Sequence, residues 1–487
     1  MKLKEILNGL SILSSRIQAE QEISFLTFDS RKATEGSVFF AINGVNTDGH
    51  QYISKAIENG CRVIILEKDD EKLPEDVDYV KVTNSMIALG EAASNFYGNP
   101  SRQLKLMGVT GTNGKTTTAT LSYELFRKLG YKCGLLSTVV NKIDEREIPA
   151  THTTPDPIEL NQLLAQMVEE GCEYCFMECS SHAIHQHRIA GLDFDVAAFT
   201  NITHDHLDYH KTFQNYLMAK KMFFDDLKPE AKAITNADDK NGLVMLQNTK
   251  AQKFSYALKS VADFKIKVLE NEFSGLHLII DGQEIWTQLI GDFNAYNLGL
   301  VYSIGVLFEQ DKMEVLKALS SLKSVAGRFQ FVVSPKRKIT AIVDYAHTPD
   351  ALENVLKTIL NIRTKGERVF TVVGCGGDRD KTKRPEMAQI ACQYSDQILL
   401  TSDNPRSEVP EEIIREMEVG VPAEAKARVL SIVDRFQAIK TACSMVNDKD
   451  IVLIAGKGHE TYQEIKGVKH DFDDMKIVKE LMNDLNL

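Results

Sequence analysis

The amino-acid sequence predicts an α/β protein of three domains, and three observations carry that prediction. Its 487 residues are about three times the roughly 150 residues of an ordinary domain. Short apolar runs alternate with helical segments along most of the chain, the pattern of a mostly parallel sheet covered on both faces. The pattern changes at the turn-forming GNPS of 98–101 and again around SVAGRFQFVV at 324–333, which sets expected domains of 1–101, 102–331 and 332–487.

Taken in order, the opening MKLKEILNGLSILSS predicts an amphipathic helix, because Leu3, Ile6, Leu7, Leu10 and Leu13 recur at helical spacing. Asn8 and Gly9 break its apolar stretch and no small-residue cleavage site follows, so no secretory signal is expected. SVFFAI (37–42) and CRVIIL (61–66) read as strands of the first domain. From Leu104 come a strand LKLMGVT, a Gly-rich turn, a helix closed by Gly130 and a strand from Lys132, with further strands at 172–181 and 194–202. The stretch 253–293 is β-rich and is expected to flank the central sheet. A second series, KITAIVDYAH, ERVFTVVGCGG, DQILLTSDNP and DIVLIAGKGHE, runs strands into loops and predicts a Rossmann-like third domain. In open α/β sheets ligands sit beyond the carboxyl ends of strands, so these loops are where chemistry is expected.

Composition narrows the function. Lys plus Arg number 57 against 68 Asp plus Glu, a net charge of −11, which argues against nucleic-acid or membrane-surface binding because both need a basic face. No apolar run approaches the roughly 18 residues of a membrane span. Eight scattered cysteines lack the density of a disulfide scaffold, so the cytoplasm is the expected compartment.

VTGTNGKTTT (109–118) has the strand-to-helix setting of a phosphate-binding loop. Gly111 and Gly114 let backbone amides approach phosphates, Lys115 reaches the terminal phosphates, and Thr116 offers its hydroxyl to Mg²⁺. The loop is a variant, since the first glycine of G-x-x-x-x-G-K-[ST] falls on Val109. ATP is the expected ligand. GCGGDRD (374–380) has Arg379 where a dinucleotide fingerprint needs its third glycine, which disfavours nicotinamide and flavin.

Between 178 and 210 the chain gathers Glu178, His182, His185, His187, His204, Asp205, His206, Asp208 and His210. A zinc hydrolase is one reading. Two Mg²⁺ ions are preferred, because ATP chemistry needs oxygen ligands and Glu178 and His206 both follow strands that should open into the crevice of Lys115. Cys172, Cys175 and Cys179 read as buried small hydrophobes in a strand, not as cluster ligands. In TFQNYLMAKKMFFDDL, Phe213, Leu217, Phe224 and Leu227 form a stripe on which Lys220 falls and Lys221 does not. A lysine there either snorkels, the preferred reading from spacing alone, or is desolvated to a neutral amine able to take up carbon dioxide as a carbamate.

TGTNGKTT, MECSSHAIHQHR, NITHDHLDYH, YLMAKK, NADD, GDFNAYN, GRFQ, DYAHTPDALE, GCGGDRDKTKRP, DNPR and AGKGHE together resemble the Mur ligases, ATP-dependent enzymes that add amino acids to the peptidoglycan precursor. They occur in the family's order and span all three domains. The resemblance implies an N-terminal uridine-nucleotide-binding domain, a central P-loop ATPase domain and a C-terminal amino-acid-binding domain. It further implies ligation of meso-diaminopimelate to the D-glutamate of UDP-N-acetylmuramoyl-L-alanyl-D-glutamate through an acyl phosphate, by a monomer. Ligation of L-lysine, a P-loop kinase and a metal-dependent hydrolase are the alternatives.

By the same resemblance, Ser30, Val45, Asn46 and Thr47 form the uridine-diphosphate seat, and His152, Thr153, Thr154, Ser180, Gln186 and Arg188 contact the rest of that substrate. His152 stands where the family often has Asn. The P-loop residues Gly111, Thr112, Asn113, Gly114, Lys115, Thr116 and Thr117, with Asn294, Asn297, Arg328 and Asp344, are implied for ATP. Thr116, Glu178, His206 and Lys220 as the carbamate are implied for metal, with Lys115, Lys220, His206 and Glu178 catalytic. Arg379, Asp403, Asn404, Pro405, Arg406, Gly456 and Glu460 are implied for diaminopimelate. Diaminopimelate is lysine with one more carboxylate, so Arg406 is expected to pair with that group bidentately.

Overall fold

Three separate sheets and a small hairpin organise the chain, in a computed structural model that describes residues 1–44, 47–68, 73–150, 152–364 and 366–485. The first sheet runs in the order Ile12–Arg16, Asp78–Val82, Val63–Leu66, Ser37–Phe40, Phe25–Thr27. It is parallel except at the Ile12–Arg16 edge. Val63–Leu66 and Ser37–Phe40 are buried along their whole length, as parallel strands covered on both faces must be. One face packs Leu3, Ile6, Leu7 and Leu10 with the helix Ser85–Phe96, which Asn84 caps by accepting the amides of Met86 and Ile87.

The opening helix is shorter than its apolar spacing predicts. Only Leu3–Ile6 is helical. Leu13 is 58% exposed and lies in the edge strand, where Ile12 pairs with Val82, a partner too distant in sequence for local periodicity to reveal.

The second sheet has eleven strands. Its middle is parallel, in the spatial order Phe264–Glu272, Gln252–Ala257, Lys232–Asn236, Val196–Phe199, Lys105–Thr110, Tyr174–Glu178, Cys133–Leu136. Antiparallel strands extend both edges. The β-rich stretch from 253 thus continues the sheet instead of only flanking it. From Lys105–Thr110 the chain crosses to Cys133–Leu136, returns between them as Tyr174–Glu178, then moves to the other side as Val196–Phe199. That reversal opens a crevice at the carboxyl ends of these strands. Helices Lys115–Lys128 and Asp292–Leu307 cover one face of the sheet and Phe213–Asp225 the other.

The third sheet runs Gln330–Val333, Thr340–Asp344, Ile451–Ala455, Val369–Val373, Gln397–Leu400, Val429–Ser431. It is parallel except at Gln330–Val333, a strand that straddles the expected boundary at 331/332. The helix Pro349–Ile362 buries Leu352, Val355, Leu356 and Ile359 at helical spacing. Ile290, Phe293 and Phe329 join that same core, so the second and third units share apolar packing at this end.

One ion pair in the third unit is wholly buried. Arg435 donates from Nε and Nη2 to Asp474 at 2.9 and 2.7 Å, and from Nη2 to the carbonyl of Ala455 at 3.0 Å, with both side chains 0% exposed. Removing one partner strands the other charge, so Asp474→Ala is expected to destabilise this unit by about 3–5 kcal/mol. Hydrogen exchange of the Ile451–Ala455 amides should accelerate accordingly, while exchange in Lys105–Thr110 should not change.

Cys172, Cys175 and Cys179 are buried with free thiols, as expected for small hydrophobes. Burial pushes their ionisation upward, Cys172 to about 11. Among the described residues no helix is long and apolar enough to cross a membrane.

Candidate active site

The P-loop closes the strand Lys105–Thr110 and opens the helix Lys115–Lys128. Gly114 sits at the N-cap with φ +86°, and a Cβ there would lie 2.6 Å from Asn297 Oδ1, so only glycine fits. The neighbouring loop after Val196–Phe199 pins the turn. Thr112 N donates to Asn201 O at 2.8 Å, Asn113 N to Asn201 Oδ1 at 3.0 Å, and Thr200 Oγ1 to Asn113 O at 2.6 Å.

Two lysines converge on one carbonyl. Lys115 Nζ donates to Gly111 O at 3.0 Å and Thr112 O at 2.8 Å, and Lys220 Nζ donates to the same Gly111 O at 2.7 Å. Lys220 is 1% exposed and lies 4.5 Å from the Tyr216 ring centroid. It therefore does not snorkel, contrary to the reading preferred from spacing. Burial first, and the Lys115 charge second, hold its pKa well below the ordinary lysine value. Lys221 is also buried, contrary to the stripe; it is neutralised one turn on by Asp225, at 2.6 and 2.7 Å.

A chain of hydrogen bonds crosses the crevice. Arg328 Nη2 donates to Thr116 Oγ1 at 3.1 Å, Thr116 donates to Glu178 Oε2 at 3.0 Å, and the Thr138 amide donates to Glu178 Oε1 at 2.7 Å. His206 takes φ +54°, and its ring centroid lies 4.9 Å from that of His182. Desolvation lowers its pKa against the Asp205 carboxylate 3.5 Å away, which favours the neutral form that ligates metal. Among the described residues no group of three or more His, Cys, Asp or Glu is arranged to hold a metal. The hydroxyl of Thr116, the carboxylate of Glu178 and one neutral imidazole suit an oxygen-seeking Mg²⁺ better than zinc.

A cavity of about 1160 Å³ joins these groups to loops of the third sheet. Of the expected residues, Thr112, Asn113, Gly114, Lys115, Thr116, Thr117, His152, Thr153, Thr154, Glu178, Ser180, Arg188, His206, Lys220, Asn297, Arg328 and Asp344 line it. So do Arg379, Asp403, Asn404, Arg406, Gly456 and Glu460. Asn294 does not. It accepts from Asn297 Nδ2 at 3.0 Å and donates to Ile290 O, so it holds Asn297 from behind. Gln186 likewise backs Arg188, whose Nε and Nη2 donate to its Oε1. Gly111, Pro405, Ser30 and Thr47 also lie off the lining. Val45 and Asn46 fall outside the described residues.

Asp344 is buried beneath Arg328 and accepts from the Phe329 amide at 2.6 Å. Burial raises its pKa to about 6 despite the guanidinium. The DNPR loop follows the strand Gln397–Leu400. There Arg406 takes φ +51°, and its Nη1 donates to Gly377 O at 2.7 Å, which fixes the guanidinium between the GCGGDRD and DNPR loops.

Several contacts were not anticipated from the sequence. Asp350 accepts from P-loop Asn113 Nδ2 at 2.8 Å and from Thr203 Oγ1 at 3.4 Å. Lys383 pairs with buried Asp205, and His204 Nε2 lies 3.5 Å from Asp380 Oδ2. These polar pairs bridge the second and third units at the cavity mouth. Their residues stand inside motifs already singled out, but nothing local indicates which partners meet.

Comparison with known proteins agrees with this geometry. Three family models match in sequence order: the Mur ligase family catalytic domain over residues 22–97, the Mur ligase middle domain over 109–305, and the Mur ligase glutamate ligase domain over 327–458. A protein of Cytophaga hutchinsonii named UDP-N-acetylmuramoyl-L-alanyl-D-glutamate--2,6-diaminopimelate ligase is 54% identical, covering 100% of both chains. A protein of the same name from Phocaeicola vulgatus is 55% identical over 99% of both. A solved structure bearing that enzyme name aligns with a TM-score of 0.71 and 31% identity, covering 100% of this chain and 99% of the other. The MurF ligase of Thermotoga maritima in complex with ADP, 19% identical at TM-score 0.62 over 95% of this chain and 97% of the other, shares the fold. With all three domain models and full-length relatives in agreement, the chain belongs to the Mur ligase family and is an ATP-dependent, peptide-bond-forming ligase.

Proposed function

We propose that the chain joins meso-diaminopimelate to the D-glutamate carboxylate of UDP-N-acetylmuramoyl-L-alanyl-D-glutamate in peptidoglycan precursor synthesis. The observation that carries this reading is Arg406, a backbone-braced guanidinium opening onto the same cavity as the P-loop Lys115. The name borne by the full-length relatives supports the same substrate pair. The three units, divided near 101/102 and 331/332, then serve the uridine nucleotide, ATP and the amino acid respectively. Since the P-loop and the loops of the third sheet that line the cavity belong to one chain, a monomer suffices. ATP and nucleotide-linked substrates are consistent with work in the cytoplasm.

A carboxylate is a poor electrophile, so the γ-phosphoryl of ATP first passes to the D-glutamyl carboxylate, leaving ADP and an acyl phosphate. The amine of diaminopimelate attacks the carbonyl carbon, the C–O bond to phosphate breaks, and the amine loses a proton. Lys115 exchanges its bonds to the Gly111 and Thr112 carbonyls for phosphate oxygens. Arg328, already at Thr116, adds positive charge on the same side. Mg²⁺, two ions in this reading, supplies charge neutralisation of the phosphates when held by Thr116, Glu178, His206 and the carbamate of Lys220. The acyl phosphate forms between the second and third units, whose side chains together line the cavity and limit the access of water.

The test supplies ATP, Mg²⁺ and UDP-N-acetylmuramoyl-L-alanyl-D-glutamate, and compares phosphate release with meso-diaminopimelate and with L-lysine. Release that depends on diaminopimelate is expected. Equal rates with lysine would overturn the proposed specificity, and ADP formed without free phosphate would point to a kinase.

A further inference from the structure

Lys457 has no part in the chemistry above, yet it is 0% exposed and lies directly beneath the amino-acid end of the cavity. It follows Gly456, where φ is +117° and a Cβ would come within 2.4 Å of Asp403 Oδ2, so the chain passes close under that carboxylate. Lys457 Nζ donates to Asn404 Oδ1 and Glu460 Oε2, both at 3.0 Å, and lies 4.0 Å from Asp403 Oδ1. The orientation of the Asn404 amide is fixed independently. Its Oδ1 also accepts from the Glu464 backbone amide at 2.9 Å, and its Nδ2 donates to Glu460 Oε2 at 2.7 Å.

The charges do not balance. Two carboxylates, Asp403 and Glu460, share one ammonium, while the nearby Arg435 is already matched by Asp474. Glu460 is satisfied by Lys457 and Asn404, but the Asp403 carboxylate receives no hydrogen bond among the described residues, although Asp403 is only 6% exposed and lines the cavity. With the Lys457 ammonium hydrogen-bonded to Glu460 and Asn404 and only 4.0 Å from Asp403, the two carboxylates keep one net negative charge for a ligand cation.

We propose that Lys457 is a positioning residue that sets the charge of the amino-acid subsite: it cancels one of two facing carboxylates, so that the pair accepts a single ammonium, the distal one of the incoming diamino acid. Arg406 then meets the neighbouring carboxylate, and the two together read a zwitterionic end group. Without Lys457 the carboxylates repel each other, and one swings away or takes up a proton; either way the ammonium meets one acceptor fewer. This inference rests on the diaminopimelate reading. That reading fails by itself if the unaltered enzyme shows no phosphate release dependent on diaminopimelate.

The test measures steady-state kinetics for Lys457→Met, Glu460→Gln and the double variant. Lys457→Met is expected to raise KM for meso-diaminopimelate at least about tenfold, while KM for ATP stays within about twofold. The double variant again presents one negative charge, as the unaltered site does, so its KM should fall below that of either single variant, a non-additive outcome. A purely structural lysine predicts the opposite, namely a double variant at least as impaired as the worse single one, and that result overturns the proposal. An unchanged KM for diaminopimelate in Lys457→Met overturns it as well. If Lys457→Met does not fold, as judged by lost ATP binding, the double variant decides. Recovery of ATP binding with a KM for meso-diaminopimelate below that of Glu460→Gln supports charge balance, and no recovery overturns it.

Discussion

Replacing Lys220 by alanine is expected to lower kcat by roughly 10²–10³ while ATP still binds, and a short carboxylic acid such as acetate is expected to restore part of the rate. The argument begins with burial. The amine is 1% exposed, shares the Gly111 carbonyl with Lys115, and has no carboxylate hydrogen-bonded to it among the described residues. An ammonium so placed would face a like charge, and the shift of Lys220 toward the neutral amine removes that conflict. A neutral amine attacks carbon dioxide; the new N–C bond forms, a proton leaves, and the product carries one negative charge on two oxygens. In the proposed carbamate, that anion beside Lys115 would convert a repulsion into an attraction and add an oxygen ligand for a cation. Acetate can put similar oxygens into the space left by alanine. Unchanged kcat in Lys220→Ala would show that the lysine only fills space, and loss of ATP binding would show that it only supports the P-loop carbonyl.

The second large effect is expected at Arg406. Arg406→Lys should reduce kcat/KM for meso-diaminopimelate by about 10³, with ATP affinity unchanged. A lysine ammonium cannot donate two parallel bonds to a carboxylate while also holding Gly377 O, whereas a guanidinium that holds Gly377 O through Nη1 keeps further donors in the same plane for a carboxylate. A site built to pair a carboxylate loses more than the pair itself when the partner goes, because the buried anion is left unmatched. Isothermal titration with a non-hydrolysable ATP analogue separates the outcomes. Equal losses for amino acid and nucleotide would mean that the loop, not the recognition, had failed.

How much of this was legible in the sequence depends on how local each signal is. The P-loop announces itself because strand, glycines, lysine and threonine stand within ten residues, and each has a separate physical reason to be there. Glu178 and His206 could be placed in one crevice because both follow strands in a parallel sheet, and the carboxyl ends of such strands share an edge. Helical spacing put Lys220 on the buried stripe but left snorkelling preferred over a desolvated amine, and only the fold, which turns its Nζ onto Gly111 O, decides between them. The same stripe misassigned Lys221, whose burial depends on Asp225 one turn later. The opening helix failed for the converse reason, since a strand pairing with Asp78–Val82 overrode a local apolar pattern. Asn294 and Gln186 show a further limit. Motif membership marked them as belonging to the site, while only the fold shows that each works by bracing a neighbour. Lys457 was invisible for want of context. A lysine in AGKGHE reads as any loop lysine until Asp403 of a distant loop joins Glu460 of its own motif beside it.

The seam between the second and third units is unlike at its two ends. Ile290 and Phe329 are sunk into the core of the third unit, with half-buried Phe293 packed against it, whereas Asn113, Asp205 and Thr203 meet Asp350 and Lys383 through polar groups at the cavity mouth. Water can replace every bond at the mouth at little net cost, but it cannot replace the apolar packing. The apolar end is therefore the harder of the two to part, and any opening of the cavity would begin at the polar mouth. The polar groups bared there would offer no sticky face to neighbouring proteins.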